Sequence, residues 1–175
     1  LDAADGTPLR LMVRTARIST HDIVRGNIPF KDQILAANHH FMLGLLGEAL
    51  GTSQYDIEDL PDTAVVVAAE NLEQIRFENV VRAYMAKSST STSLYQHFMN
   101  GERTFCGHKL PDDLIANGPL PYIMDTPSTK SDEHDESVAP EVLFELGVCT
   151  PQEYQQIRNV SLYVFGMVAG FSRQR

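Results

Sequence analysis

A short stretch of this chain, residues 120–136, gathers several groups that could do chemistry together. Hydroxyls and an ammonium group can hold a phosphate, and neighbouring carboxylates offer the hard oxygen atoms that magnesium prefers. The residues concerned are Ser128, Thr129, Lys130, Asp135 and Glu136. A solvated acidic loop would have the same composition, so composition alone leaves both interpretations open.

The same stretch contains Pro121 and Pro127, which favour turns. We therefore expect it to form neither a regular helix nor a regular strand. Between Thr126 and Asp135 we expect a loop that is mobile without ligands, because its acidic residues repel one another and its proline cannot donate to a ladder.

The order of residues in this stretch resembles the signature of phosphoribosylaminoimidazole-succinocarboxamide synthase, the SAICAR synthetase family. Two further blocks resemble family motifs in the same order along the chain. The three blocks are Arg17–Asp22 with Asn27–Lys31, Val80–Ser88, and Leu120–Lys130 with His134–Glu136. The resemblance extends from about residue 14 to the last residue.

The resemblance implies an α+β fold with the ATP cleft between two subdomains. It also implies ATP-dependent joining of L-aspartate to carboxyaminoimidazole ribonucleotide (CAIR) in purine biosynthesis, with ATP and Mg²⁺ as cofactors. Arg82 and Ser88 match the family's ribose phosphate contacts. The resemblance also places Lys130, Asp135 and Glu136 near the reacting groups. Asp135 and Glu136 are implied as metal ligands as well. The implied substrate contacts are Arg17, Ser19, Asp22, Lys31 and Ser128.

The chain departs from the family pattern at several positions. Ala83 and Lys87 replace glycines, and Asp32 follows Lys31 where the family prefers glycine. Met124 and Asp125 replace an apolar pair that is common in the family, and the sequence assigns no role to Asp125.

Relatives also carry an upstream Gly-Lys strand for the ATP phosphates and downstream acidic segments that hold metal. Neither is found in these 175 residues. We therefore expect the chain to be the central portion of a ligase, one incomplete domain lacking N- and C-terminal segments, and inactive when alone.

Local patterns predict the elements that position these residues. Valine-rich and aromatic runs predict strands, and apolar residues at helical spacing predict helices. The predicted strands are residues 9–13, 64–69 and 77–85. The predicted helices are a long one from about residue 34 to Gly51, then Leu94–Met99, a short one from Pro140 to Gly147 and one that begins at Thr150. Residues 22–32 are expected to be irregular. Thr150 and Glu153 have the spacing of a capping box.

Composition and charge narrow the function classes. The chain is 43% hydrophobic and 21% charged, which is typical of a globular domain. A net charge of −9 disfavours nucleic acid and anionic membranes as partners, so we expect small-molecule substrates. Two cysteines without metal-type spacing indicate a cytoplasmic protein. Whether it forms a homo-oligomer is left open.

Two alternatives remain at this point. The first is a truncated, non-catalytic homologue that binds the ribonucleotide. The second is an unrelated hydrolase with a metal cluster in the acidic stretch, which would use Asp132, Glu133, His134, Asp135 and Glu136.

Overall fold

The computed structural model describes residues 2–20, 23–50, 54–55, 65–130 and 135–174. The strands within these residues are β1 (Leu9–Val13), β2 (Arg17–Thr20), β3 (Ile23–Asn27), β4 (Gln54–Tyr55), β5 (Val66–Glu70), β6 (Phe77–Tyr84), β7 (Thr104–Phe105), β8 (His108–Lys109) and β9 (Pro119–Thr129). The helices are α1 (Lys31–Leu50), α2 (Leu94–Met99), α3 (Pro140–Glu145) and α4 (Pro151–Arg173).

The chain divides into two compact units, Leu1–Glu73 and Gln74–Arg175. In the first unit, β5 lies between β1 and β4 in an antiparallel sheet, and β2 pairs with β3. The predicted strand at residues 9–13 is confirmed. The expectation that these 175 residues form one incomplete domain stays a prediction.

The expectation of irregular structure over residues 22–32 is wrong for much of that range. Ile23–Asn27 forms β3, antiparallel to β2, with a register shift between Ile18 and Ser19. The β-branched Ile23 and Val24 favour extended backbone, and Gly26, at a φ of 154°, suits the irregular pairing. The punctuating glycine thus marks a bulge inside a hairpin rather than a loop.

In the second unit, β6 and β9 form a long antiparallel pair, and α4 packs on β6. One apolar cluster combines Met85, Met124 and Leu120 with side chains of α2 and the β7–β8 hairpin. A second cluster joins Phe77 and Leu143 to Tyr154 of α4. These two clusters are the cores on which the paired strands rest.

Helix ends in the second unit follow their local signals. Ser93 caps α2, with its Oγ accepting from the Gln96 amide at 3.3 Å. Thr150 and Glu153 form the predicted capping box of α4, and Gly147 follows α3 with a φ of 67°. Among the described residues, no helix is long and apolar enough to cross a membrane.

The expectation that residues 120–136 avoid regular structure is wrong for the first part of the stretch. Residues 119–129 form β9, although they include Pro121 and Pro127. Within the described residues β9 pairs in a ladder with β6 and otherwise makes one isolated bridge, so a proline nitrogen can face the side that has no ladder to complete. The Pro127 carbonyl accepts from the Val138 amide at 3.0 Å, which ties the strand to the segment before α3.

Candidate functional site

The β6–β9 pair has two faces with different chemistry. Residues paired across antiparallel strands lie on the same face, and successive residues alternate between faces. The register therefore defines an Arg82 face, made of Glu78, Val80, Arg82, Met124, Thr126 and Ser128. It also defines an Asp125 face, made of Phe77, Asn79, Val81, Asp125, Pro127 and Thr129.

Arg82 is held by one edge of its guanidinium. Its Nε donates to Thr126 Oγ1 at 3.0 Å, and the Thr126 hydroxyl donates in turn to the Val80 carbonyl at 2.8 Å. Burial lowers the pKa of Arg82, although a guanidinium stays protonated at neutral pH. In the part of the chain that the structure describes, its two terminal nitrogens have no hydrogen-bond or ion-pair partner. The two terminal nitrogens of this half-buried cation form a planar fork that can bind an anion.

Lys130 lies between two carboxylates. Its Nζ is 2.5 Å from Asp135 Oδ2 and 3.0 Å from Glu78 Oε1. The hydrogen bond with Asp135, followed by that with Glu78, raises the pKa of Lys130. The structure thus brings Lys130 and Asp135 together as expected, but it adds Glu78, which the sequence did not indicate. The ammonium group has three N–H donors, so beside these two carboxylates a third remains for an anionic substrate group.

The start of the hydroxyl-rich loop is organised by its own hydrogen bonds. Ser88 Oγ accepts from the Thr90 amide at 3.1 Å, and the Ser88 carbonyl accepts from Gln96 Nε2 at 2.7 Å. Lys87 donates its amide to Asn117 Oδ1 at 3.0 Å. The loop that follows β6 is therefore ordered at Ser88.

Ser128 and Glu136 flank the Lys130 cluster. Ser128 is half-buried, pairs with Glu78 in the register and forms a bridge to Ser137. The Glu136 carbonyl accepts from the Thr129 amide at 2.9 Å, the Glu136 amide donates to Thr129 Oγ1 at 3.2 Å, and the Glu136 side chain is exposed.

Asp125 is a buried carboxylate, with 3% of its surface exposed. Its Oδ2 accepts from the Tyr154 hydroxyl at 2.7 Å and from Arg158 Nε at 2.9 Å, both on α4. Burial alone would raise the pKa of the Asp125 carboxyl, but the hydrogen bonds from Tyr154 and Arg158 outweigh it and the pKa is lowered. Burial, followed by the bond to Asp125, raises the pKa of Tyr154.

His108 reaches the same residue from the β7–β8 hairpin. Its Nε2 is 2.8 Å from the Asp125 carbonyl oxygen, which can only accept, so Nε2 carries the proton. That nitrogen is also 3.6 Å from Asp125 Oδ1. The hairpin turn is Cys106-Gly107, with φ of 49° and 82°, as in a type I′ turn. Burial is the main cause that raises the pKa of the Cys106 thiol, to about 12.

Four of the implied substrate contacts, Arg17, Ser19, Asp22 and Lys31, belong to the first unit. The Nζ of Lys31 donates to the Arg17 carbonyl at 2.7 Å, so these two residues are in contact. Ser19 pairs with Val24 in the β2–β3 hairpin and is exposed. Asp22 lies outside the described residues.

The described carboxylates do not make a complete metal site. No group of three or more His, Cys, Asp or Glu side chains in the described ranges could hold a metal ion. Asp135 is bonded to Lys130, and Asp135 and Glu136 are adjacent and both exposed. Their role as magnesium ligands stays a prediction. The alternative hydrolase cluster rests partly on Asp132, Glu133 and His134, which lie outside the described residues.

Comparison with known proteins now decides the family. The family model described as SAICAR synthetase matches residues 3–175. The chain belongs to the SAICAR synthetase family. The resemblance seen in the three sequence blocks is therefore confirmed.

Relatives and solved structures of the family agree with this assignment. The chain is 32% identical to the chloroplastic phosphoribosylaminoimidazole-succinocarboxamide synthase of Arabidopsis thaliana, over 94% of this chain and 39% of the plant protein. It is also 32% identical to a putative synthase 2 of Mesorhizobium japonicum, over 94% and 51% of the two chains. The chain therefore spans about half or less of the length of these relatives.

The fold is that of the SAICAR synthetases. The SAICAR synthase of Saccharomyces cerevisiae, solved in complex with SAICAR, superposes with a TM-score of 0.76 at 20% identity, covering 95% of this chain and 58% of the yeast chain. A SAICAR synthetase in complex with ADP gives a TM-score of 0.72 at 17% identity, covering 95% and 62%. The expected α+β fold class is confirmed.

Sequence reasoning missed several residues of this region. Thr126 was inside a recognised motif but had no role, and Asp125 had none. His108 had no predicted role; its Nε2 donates to the Asp125 carbonyl on β9. Tyr154 and Arg158 fall in the helix predicted from Thr150, but neither had a predicted role. The one available signal was an acidic residue at position 125, where the family commonly has an apolar one.

Proposed function

We propose that the protein carrying this chain is a ligase that joins L-aspartate to CAIR with ATP, in purine biosynthesis. The observation that carries this proposal is the half-buried guanidinium of Arg82, whose terminal nitrogens have no partner among the described residues. A fixed, partly desolvated fork of this kind suits a phosphate group, which it can bind through two parallel bonds. The family membership supports the rest of the assignment.

The proposed reaction has two steps. A carboxylate oxygen of CAIR attacks the γ-phosphorus of ATP, so that ADP leaves and an acyl phosphate forms. The amine of L-aspartate then attacks the acyl carbon, phosphate leaves and an amide bond results. Chemistry of this kind needs positioning, charge neutralisation and exclusion of water more than a nucleophilic side chain.

In this proposal the two ends of the Arg82 face bind different parts of the substrates. Arg82 and Ser88 hold the ribose phosphate. Lys130, which lies beside Glu78 four residues earlier on β6, is roughly 13 Å away along the strand, at about 3.3 Å per residue. There Lys130 and Ser128 steady an anionic group, with the third N–H of Lys130 as its donor.

The remaining substrate contacts and Mg²⁺ complete the proposal. Arg17, Ser19, Asp22 and Lys31 are proposed as further substrate contacts. Mg²⁺ would neutralise phosphate charge when bound, with Asp135 and Glu136 as candidate ligands. Because the described carboxylates do not complete a site for it, no step of the reaction is derived through the metal.

The test is a coupled assay of the full protein that contains this chain. CAIR, L-aspartate, ATP and Mg²⁺ are supplied, and ADP and the amide product are followed together. We expect equal amounts of both, and loss of the amide product when L-aspartate is omitted. Binding of CAIR without ADP release would identify a non-catalytic ribonucleotide-binding homologue. Absence of CAIR binding would refute the proposed substrate.

A further inference from the structure

The buried carboxylate of Asp125 is not used by the proposed reaction. This carboxylate and the backbone carbonyl of the same residue accept hydrogen bonds from two different elements. The Asp125 side chain accepts from Tyr154 and Arg158, at 2.7 Å and 2.9 Å. The Asp125 carbonyl, which belongs to the peptide leading to Thr126, accepts from His108 at 2.8 Å. Directional bonds from α4 and from the β7–β8 hairpin therefore meet on the Asp125–Thr126 peptide.

Thr126 is the residue that orients Arg82. Its hydroxyl accepts from Arg82 Nε and donates to the Val80 carbonyl, so it has one rotamer in which both bonds are made. Thr126 is 1% exposed and has no room to adjust. A small shift of its peptide would therefore turn the guanidinium fork away from its direction.

We propose that Asp125 is a positioning residue for anion binding: by anchoring β9 to Tyr154 and Arg158, next to the backbone bond from His108, it sets the Thr126 hydroxyl and, through it, the guanidinium of Arg82. The inference rests on the proposed function, because it assumes that Arg82 binds the ribonucleotide phosphate. An apolar residue at position 125 would fill the same space without making any of the side-chain bonds. Burying a carboxylate is costly unless it is paired, so the buried charge at this position favours a role in direction over packing alone.

Binding of CAIR to the full protein, measured by calorimetry, tests the proposal. Asp125→Asn keeps the shape of the side chain but weakens its bond to Arg158. We expect CAIR affinity to fall about tenfold, which corresponds to about 1.4 kcal/mol, while ATP affinity stays within about twofold. Asp112→Asn is the matched control, because it removes the same charge from an exposed ion pair with Arg103 (2.6 Å). It should leave CAIR affinity unchanged.

The double variant separates positioning from general destabilisation. In an Arg82→Ala background, Asp125→Asn should cause no further loss of CAIR affinity, because the group that it positions is gone. An equal loss in both backgrounds would overturn the proposal. An unchanged CAIR affinity in Asp125→Asn would also overturn it, provided that Arg82→Ala alone weakens binding. If Asp125→Asn does not fold, Tyr154→Phe removes one donor and keeps the Arg158 pair, and a loss of about threefold confined to CAIR is expected.

A spectroscopic measurement keeps this inference separate from the proposed function. The Arg82 Nε–H signal in a ¹H–¹⁵N spectrum reports its bond to Thr126, and Arg82→Lys assigns it by removing it. Asp125→Asn should shift that signal and Asp112→Asn should not. If Arg82→Ala leaves CAIR affinity intact, the proposed phosphate contact fails, and the spectrum alone decides the positioning role. An unmoved signal in Asp125→Asn would refute it.

Discussion

Removing the guanidinium of Arg82 should weaken ribonucleotide binding far more than ATP binding. The Nε edge of Arg82 is held by Thr126 at 3.0 Å, which leaves the terminal nitrogens as the atoms that would meet a phosphate. A hydrogen bond that involves a charged group contributes about 1.5 to 3 kcal/mol, and the fork can make two that act together. We expect Arg82→Ala to cost about 2 to 3 kcal/mol, a factor of roughly 30 to 150 in Kd.

Two milder variants test the geometry behind that value. Arg82→Lys keeps the charge and loses the planar fork, so it should recover only part of the affinity. Thr126→Val keeps the shape of the side chain but removes the acceptor for Arg82 Nε, and about 1 kcal/mol of CAIR binding should be lost. A lysine that restores full affinity would mean that charge alone matters and that the fork plays no part.

The assay is calorimetric titration of CAIR and ATP, each added separately to the full protein. Arg103→Ala is the control, because Arg103 lies in the same unit but is paired with Asp112 and stacks on Phe98 at 4.3 Å. Its CAIR affinity should match that of the unchanged protein. An unaltered CAIR affinity in Arg82→Ala, or an equal loss for CAIR and ATP, would remove Arg82 from the phosphate site.

Three further outcomes are expected. Thr150→Ala should lower the free energy of unfolding by about 1 kcal/mol in urea melts, because it removes the N-cap of α4, and an unchanged midpoint would contradict this. Asp125→Asn should cost about 2 kcal/mol of stability at pH 7. Since the folded pKa of Asp125 lies below the ordinary value of about 3.9, its contribution is present above about pH 4 and is lost as the pH falls through the folded pKa. The difference in unfolding free energy between Asp125→Asn and the unchanged protein should therefore be smaller at pH 3 than at pH 7. Cys106 and Cys149 are buried and their pKa values are raised mainly by that burial, so at pH 8 both should be alkylated only after unfolding, and rapid labelling of native Cys106 would contradict its environment.

Features with local causes were predicted from the sequence. The capping box of Thr150 and Glu153 needs only residues three apart, and the structure has both of its reciprocal bonds. The helix Leu94–Met99 was predicted with its observed bounds. Short runs rich in apolar residues located β1 and most of β5 and β6. In each case the decisive interactions lie within a few residues of one another.

Features that depend on distant pairing were not predicted. β9 contains prolines, hydroxyl residues and an acid, so its local pattern favours a loop, and it becomes a strand because β6, more than forty residues earlier, supplies a ladder. Asp125 finds its partners 29 and 33 residues later, on α4. Neither periodicity nor propensity encodes such distances. The position of His108 likewise follows from a tight turn that begins with Cys106 instead of the usual Asn or Asp.

The alternation of side chains along β9 explains how one strand can serve both binding and anchoring. Thr126 points to the Arg82 face and Asp125 to the opposite face, towards α4. A charge can therefore be added at position 125 without entering the phosphate site or repelling the ligand directly. Any change that moves Asp125 still reaches Thr126, because one peptide joins them. For this reason, a substitution on the side of the sheet that never meets the ligand should alter affinity for the ribonucleotide selectively.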